Sequence, residues 1–189
     1  MKRVAANIAY PPGGLLIWII IIVELMTFGL ALIGFGISSL HERQSFVGST
    51  KLLDRNAGFV NTLLLLSSGF FMAVAVQNVR EGKNRPANSM MLMAMLTGTL
   101  FVLIKGIEYN SKLTAGIGLY YNTFFLYYWL LTGFHLVHVL AGLVIIVVAI
   151  VNNLKGKLSM ESMEATASFW HMCDLIWLVL FPLLYLIQW

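Results

Sequence analysis

Few of the ionisable side chains in this sequence fall inside its apolar runs, and those few are the ones whose types and spacing could do chemistry. Glu24 sits in "IIIIVELMTFGLAL". Lys105 and Glu108 stand three apart in "LIKGIEY", as do His135 and His138 in "TGFHLVHVLAG" and His171 and Asp174 in "SFWHMCDLIW". On a helix this spacing puts two side chains on one face. At membrane depth an ionisable group costs roughly 2.5–3.5 kcal/mol even on lenient insertion scales, so each needs a partner or a task. The tasks open to these residue types are relaying a proton, ligating a metal or haem, and tying helices together through polar contacts.

A bis-imidazole haem needs two histidines at similar depth on facing helices. Counted back from the ends of the apolar runs, His138 lies about thirteen residues deep and His171 about six, roughly 10 Å apart in depth. His41 falls in a loop. The paired Glu-x-x-His helices of carboxylate bundles are missing, and the single Cys173 allows neither an internal disulfide nor a CxxC knuckle. There is no nucleophile–base pairing and no Gly-rich phosphate loop. The sequence therefore predicts a chain with no metal, haem or catalytic centre of its own. Glu24, about ten residues into the first run, is at the depth of His138. It is expected to pack with the His135/His138 face, or both to meet ordered lipid and water inside the bundle; otherwise each satisfies a neighbour's backbone or hydroxyl. Lys105 and Glu108 read as a snorkelling interfacial pair near the outer surface. His171 and Asp174 read as polar glue near the inner surface, tying the last helix to a neighbour, with Trp170 and Trp177 filling the seam.

The elements that must hold these residues are membrane spans. Of 189 residues, 59% are hydrophobic and 11% charged, where a soluble domain has about 25% charged. Five runs reach the roughly 20 apolar residues a spanning helix needs. They lie at about 14–38, 58–77, 89–109, 123–151 and 166–188. The expectation is an all-α polytopic membrane protein, one bundle of five transmembrane helices. The first run is too long for a signal peptide and should stay in the mature protein. Polar links such as "NVREGKNRPAN" and "NNLKGKLSMESMEA" are too short for another domain. Lys2, Arg3, Arg80, Lys83, Arg85, Lys155 and Lys157 fall on one side, and Arg43, Lys51, Arg55 and Lys112 on the other. The richer side marks the cytoplasm, so the N-terminus is predicted inside and the C-terminus outside. A formal charge of +4 spread over short loops suits lipid headgroups and supplies no stripe for nucleic acid.

Small residues accompany the buried polar ones: Ser67, Ser68 and Gly69 in the second run, Thr97, Gly98 and Thr99 in the third, and Gly133, Ala141 and Gly142 in the fourth. They mark the helix seams. A proton-linked transporter or channel relaying through Glu24, His135 and His138 would need a polar path to both surfaces. The stretch before His135, "FFLYYWLLTG", is largely apolar, and five helices do not divide into two inverted repeats.

The same residues carry a resemblance. "FWHMCDLIWLVLFPLLYL", through Trp170, His171, Asp174 and Trp177, is similar to the last helix of subunit III of the haem–copper (cytochrome c or quinol) oxidases, which reads Trp-His-x-x-Asp-x-x-Trp. Glu24 and Phe28 match that family's helix with an acidic residue and a Phe four positions on. "NTLLLLSSGFFMA" resembles its Asn-Thr…Ser-Ser helix, Glu108 and Tyr109 its Glu-Tyr ending, and Phe134, His135, His138, Val139 and Gly142 its Phe-His-x-x-His-Val-x-x-Gly. Five matches in one order are specific where any one is weak. The first span already bears the acidic residue, so the two helices preceding it in the longest members have no counterpart here. Five-helix forms occur among bacterial quinol oxidases and among shorter proteins associated with nitric oxide reductase; "WHMCDLIWLVLFPLLYL", with Met172 and Pro182, resembles the latter most. The resemblance implies a non-catalytic subunit in the bacterial inner (plasma) membrane. It would sit beside the oxidase catalytic subunit, or serve the nitric oxide reductase subunits as an accessory. It implies phospholipid held in a cleft between the first two and last three helices, and a supporting role in proton uptake and turnover stability. It also implies that Glu24 is the carbodiimide-reactive carboxyl.

Overall fold

The structure, a computed structural model, describes residues 11–187. Among these, all regular structure is helical: α1 (Leu15–His41), α2 (Arg43–Thr50), α3 (Arg55–Arg80), α4 (Asn84–Thr114), α5 (Thr123–Leu154) and α6 (Met160–Phe181), closed by a π-helical turn (Pro182–Leu186). Lys2 and Arg3, which entered the charge count, and Gln188, set as the last helix's end, lie outside the described residues. α1, α3, α4, α5 and α6 with its closing turn are each long and apolar enough to cross a membrane. At 1.5 Å per residue even α3, with 26 residues, exceeds a hydrocarbon core of about 30 Å. The protein is a multi-pass membrane protein built as a helical bundle.

The helices outrun the apolar windows because their ends are set by caps. Asp54 accepts hydrogen bonds from the Asn56 and Ala57 amides at the start of α3. Asn122 accepts from Phe125 N, and Ser159 from Ser162 N, well before the last apolar window opens. Each caps donors the first turn would leave unpaired. The link after α1, expected as a plain loop, contains α2. Its Phe46 is fully buried, with ring centroids 5.2 Å from Phe35 and 5.4 Å from Phe124, so α2 plugs that end of the bundle.

α3 packs on α4 and α6, and α5 packs on α4 and α6. α6 is the hub of this four-helix unit. The fully buried indole of Trp170 is wedged between α4 and α5. A Cβ on Gly98 or Gly142 would stand 2.7 Å from its ring carbons, so glycine at both positions is what lets it in. α1 is held more lightly. It lies on α5 and α6 and buries Ile21, Phe28, Phe35 and Ser39.

The resemblance implied a cleft between the first two and last three spans. In the structure the second span, α3, is packed firmly onto the third and the last, so the openings fall on either side of α1 instead. One is an apolar cavity of about 280 Å³ between α1 and α5, with Phe28, Ala31, Tyr127 and Phe134 on its walls. The other is a furrow between α1 and α3, floored by α6.

Candidate functional site: buried polar clusters

Glu24 of α1 meets His138 of α5, with Nε2 3.1 Å from Oε2. Oε2 has no aligned hydrogen bond, so the two groups are in close approach without one. His138 Nδ1 donates to the carbonyl of Phe134 at 2.8 Å. A carbonyl can only accept, so that nitrogen bears hydrogen. The rings of Phe28, Phe134 and Phe169 stand around the imidazole. The result is a titratable pair in an aromatic setting, and two of its rings, Phe28 and Phe134, also line the apolar cavity.

His135 does not share this site. Three positions on a helix leave about 60° between side chains, and that is enough to straddle two neighbours. His135 turns to α6, where Nε2 donates to the carbonyl of Cys173 at 3.1 Å. It is fully buried, its ring between those of Phe101 and Trp177, and its Nδ1 has no partner. The expectation of a single His135/His138 face is corrected: one histidine serves the α1 contact and the other the α6 contact.

Lys105 and Glu108 depart furthest from the sequence reading. They do not snorkel; both are buried inside the bundle. Lys105 Nζ donates to Glu108 Oε2 at 3.0 Å, to Tyr185 Oη at 2.6 Å and to Tyr128 Oη at 3.2 Å, which uses all three ammonium hydrogens. The two phenols donate in turn to Glu108 Oε1, each at 2.8 Å. Nζ lies 4.8–5.3 Å from the ring centroids of Tyr109, Tyr128, Trp177 and Tyr185, within cation–π range. The pair goes inside because these partners take all three ammonium hydrogens and give both carboxylate oxygens a donor, which lipid would not. Tyr185 reaches it from the π-helical turn that begins at Pro182, where the missing proline N–H breaks the α-helical ladder.

In the C-terminal motif the roles of the four residues are exchanged relative to expectation. The tryptophans tie the helix: Trp170 Nε1 donates to Ser68 Oγ and Trp177 Nε1 to Thr62 Oγ1, both at 3.0 Å and both onto α3. His171 and Asp174 pair with each other on α6, Nδ1 to Oδ2 at 3.5 Å, and His171 faces outward with its side chain 45% exposed. Asp174 presses on Gly69, where any Cβ would collide with its carboxylate. The depth expectation is corrected too. Phe169 stacks by His138 and Cys173 meets His135, so His171 runs level with the α5 histidines instead of near the surface. Apolar windows misjudged this because α6 begins at Met160, well before its apolar part.

Among the seam residues, Ser68, Gly69, Gly98 and Gly142 stand at helix contacts, while a Cβ on Gly133 would meet open space. Ser67 and Thr99 bond their own helices. Sequence reasoning missed Tyr128, Tyr185 and Thr62 as partners. Their only signal is a hydroxyl in an apolar run. Among the described residues no three His, Cys, Asp or Glu side chains converge as metal ligands would. The chemistry this geometry supports is that of polar pairs, sheltered by aromatic rings, holding helices in register.

This geometry sits on sequence that relatives share. The family profile of Cytochrome c oxidase subunit III matches residues 14–189. The cytochrome c oxidase subunit 3 of Mycosarcoma maydis is 39% identical over 130 residues, 67% of this chain and 46% of that protein. That of Rattus norvegicus is 31% identical over 142 residues, 73% of this chain and 53% of that protein. That of Arabidopsis thaliana is 34% identical over 131 residues, 67% of this chain and 48% of that protein. The chain belongs to the cytochrome c oxidase subunit III family, and it spans about half the length of the curated relatives it matches.

Proposed function

We propose that the chain is a non-catalytic subunit of a respiratory haem–copper terminal oxidase. It sits beside the catalytic subunit in the bacterial inner membrane, N-terminus cytoplasmic and C-terminus outside, holds phospholipid, and sustains proton uptake and turnover in aerobic electron transport. The observation that carries this reading is that, of the residues matching the family, Glu24, Glu108, His135, His138, Trp170 and Trp177 make their polar contacts inside the bundle, while His171 faces outward. A chain built this way shapes a neighbour's surroundings and leaves electron transfer to it. The apolar cavity between α1 and α5 supports acyl-chain binding, and the Glu24–His138 pair supports a part in proton supply.

Purification of the tagged chain from its own membranes in mild detergent tests this. A haem-bearing large subunit identified by mass spectrometry should accompany it, and phospholipid should be extractable from the complex. Recovery with a nitric oxide reductase large subunit, or alone, overturns the assignment.

A further inference from the structure

We infer that the furrow between α1 and α3 seats one transmembrane helix of the partner subunit, and that this helix brings a hydrogen-bond donor to His171, which stands in front of Asp174. The inference rests on the proposed oxidase role and names the face through which it is exercised.

Three cavities on the floor of α6 join into one furrow. The first and second share Ala73 and His171, and the second, of about 350 Å³, shares Leu175 with the third. Small side chains punctuate it, Gly69 and Ala73 on α3, Gly29 on α1, Ala167 and Ser168 on α6, between larger ones such as Leu66, Phe70 and Leu25. A Cβ on Gly29 would meet open space. Small side chains of this kind admit a helix backbone closely.

The polar groups decide what lies there. Asp174 lines the second cavity behind His171, its side chain only 9% exposed and its Oδ1 covered by the chain's own atoms. His171, beside it, is half exposed at the level of the α5 histidines, well inside the span. With Nδ1 directed at Asp174, Nε2 is left to face the furrow. When the Nδ1 hydrogen points to the carboxylate, Nε2 offers a lone pair, so the missing component is a donor: a hydroxyl, an indole, an amide or a guanidinium. Acyl chains have none. The phosphate, ammonium and hydroxyl groups of lipid headgroups stay at the membrane surface and do not reach His171, well inside the span. A second copy of the chain would bring the same acceptor, imidazole facing imidazole. A helix of another subunit carrying a donor is the occupant that fits.

The test is photo-crosslinking in the intact membrane complex, with a photoreactive phenylalanine replacing Leu178 on the furrow floor or Leu103 on the outward face of α4. The furrow position should give an adduct with the haem-bearing subunit, and the α4 position should not. His171→Ala should lower the haem recovered with the chain by about tenfold. His171→Gln, whose amide oxygen reaches where Nε2 stood, should restore most of it. A haem-subunit adduct from Leu103 with phospholipid alone captured at Leu178 overturns the furrow and leaves the oxidase role standing; so does an adduct at Leu178 of twice the chain's own mass. If neither position captures a haem-bearing subunit and none copurifies, the oxidase role fails first and the furrow with it.

Discussion

Trp170 donates its indole hydrogen to Ser68 Oγ at 3.0 Å, and Ser68 donates its own to the carbonyl of Ala94 at 2.7 Å. Two side chains thus join α6, α3 and α4 in one line through the buried centre. The indole is also the wedge against α5, so a single residue sets the spacing of the four-helix unit.

Ser68→Ala and Trp170→Phe should each destabilise the bundle by about 1–2 kcal/mol, the Ser68 variant by stranding a buried indole N–H. The double variant should cost less than the sum, because both remove one bond. Unfolding in mixed micelles measures this, and strict additivity would show that the bond contributes nothing.

Gly98→Ala and Gly142→Ala should each cost about 1–3 kcal/mol, since the added methyl must displace an indole that has no room to yield. Gly133→Ala meets open space and should be neutral or slightly stabilising through helix propensity. Thermal melts in detergent separate the two classes; equal shifts would contradict the wedge.

Lys105→Met or Glu108→Leu should each destabilise by about 3–5 kcal/mol, by leaving one buried charge without its counterion. The double variant should recover a large part of the loss. A double variant as unstable as the sum of the singles would mean that the cage does not act as a unit.

Glu24→Gln should abolish carbodiimide modification of the first span while shifting stability by less than about 1 kcal/mol, since Glu24 is partly exposed and its contact with His138 is not an aligned hydrogen bond. Peptide mass mapping after labelling reads this out. A modified first-span peptide in the variant would remove Glu24 from its proposed role.

The spans were legible because lipid imposes length and apolarity on any segment that crosses it, and the Glu24–His138 approach followed from equal depth on two helices. What depth counting could not supply is direction around a helix axis. His135 and His138 share a stripe by spacing, yet they part to different neighbours, because the boundary between α1 and α6 falls between them. Lys105 and Glu108 looked superficial because nothing local announces that Tyr128 and Tyr185, from α5 and the final turn, close over them. Tryptophan was read as filler and aspartate as the tie. In the folded bundle the indole N–H groups do the tying, since a donor with a large apolar body can be buried at less cost than a carboxylate.

The thin attachment of α1 bears on how the chain is made. α1 leaves the ribosome before α5 and α6, the two helices it rests on, so it must wait in the bilayer with Glu24 unreceived until α5 brings the imidazole of His138. Biogenesis therefore passes through a stage in which α1 is inserted but without its packing partners, and machinery that shelters nascent spans must hold it until they arrive.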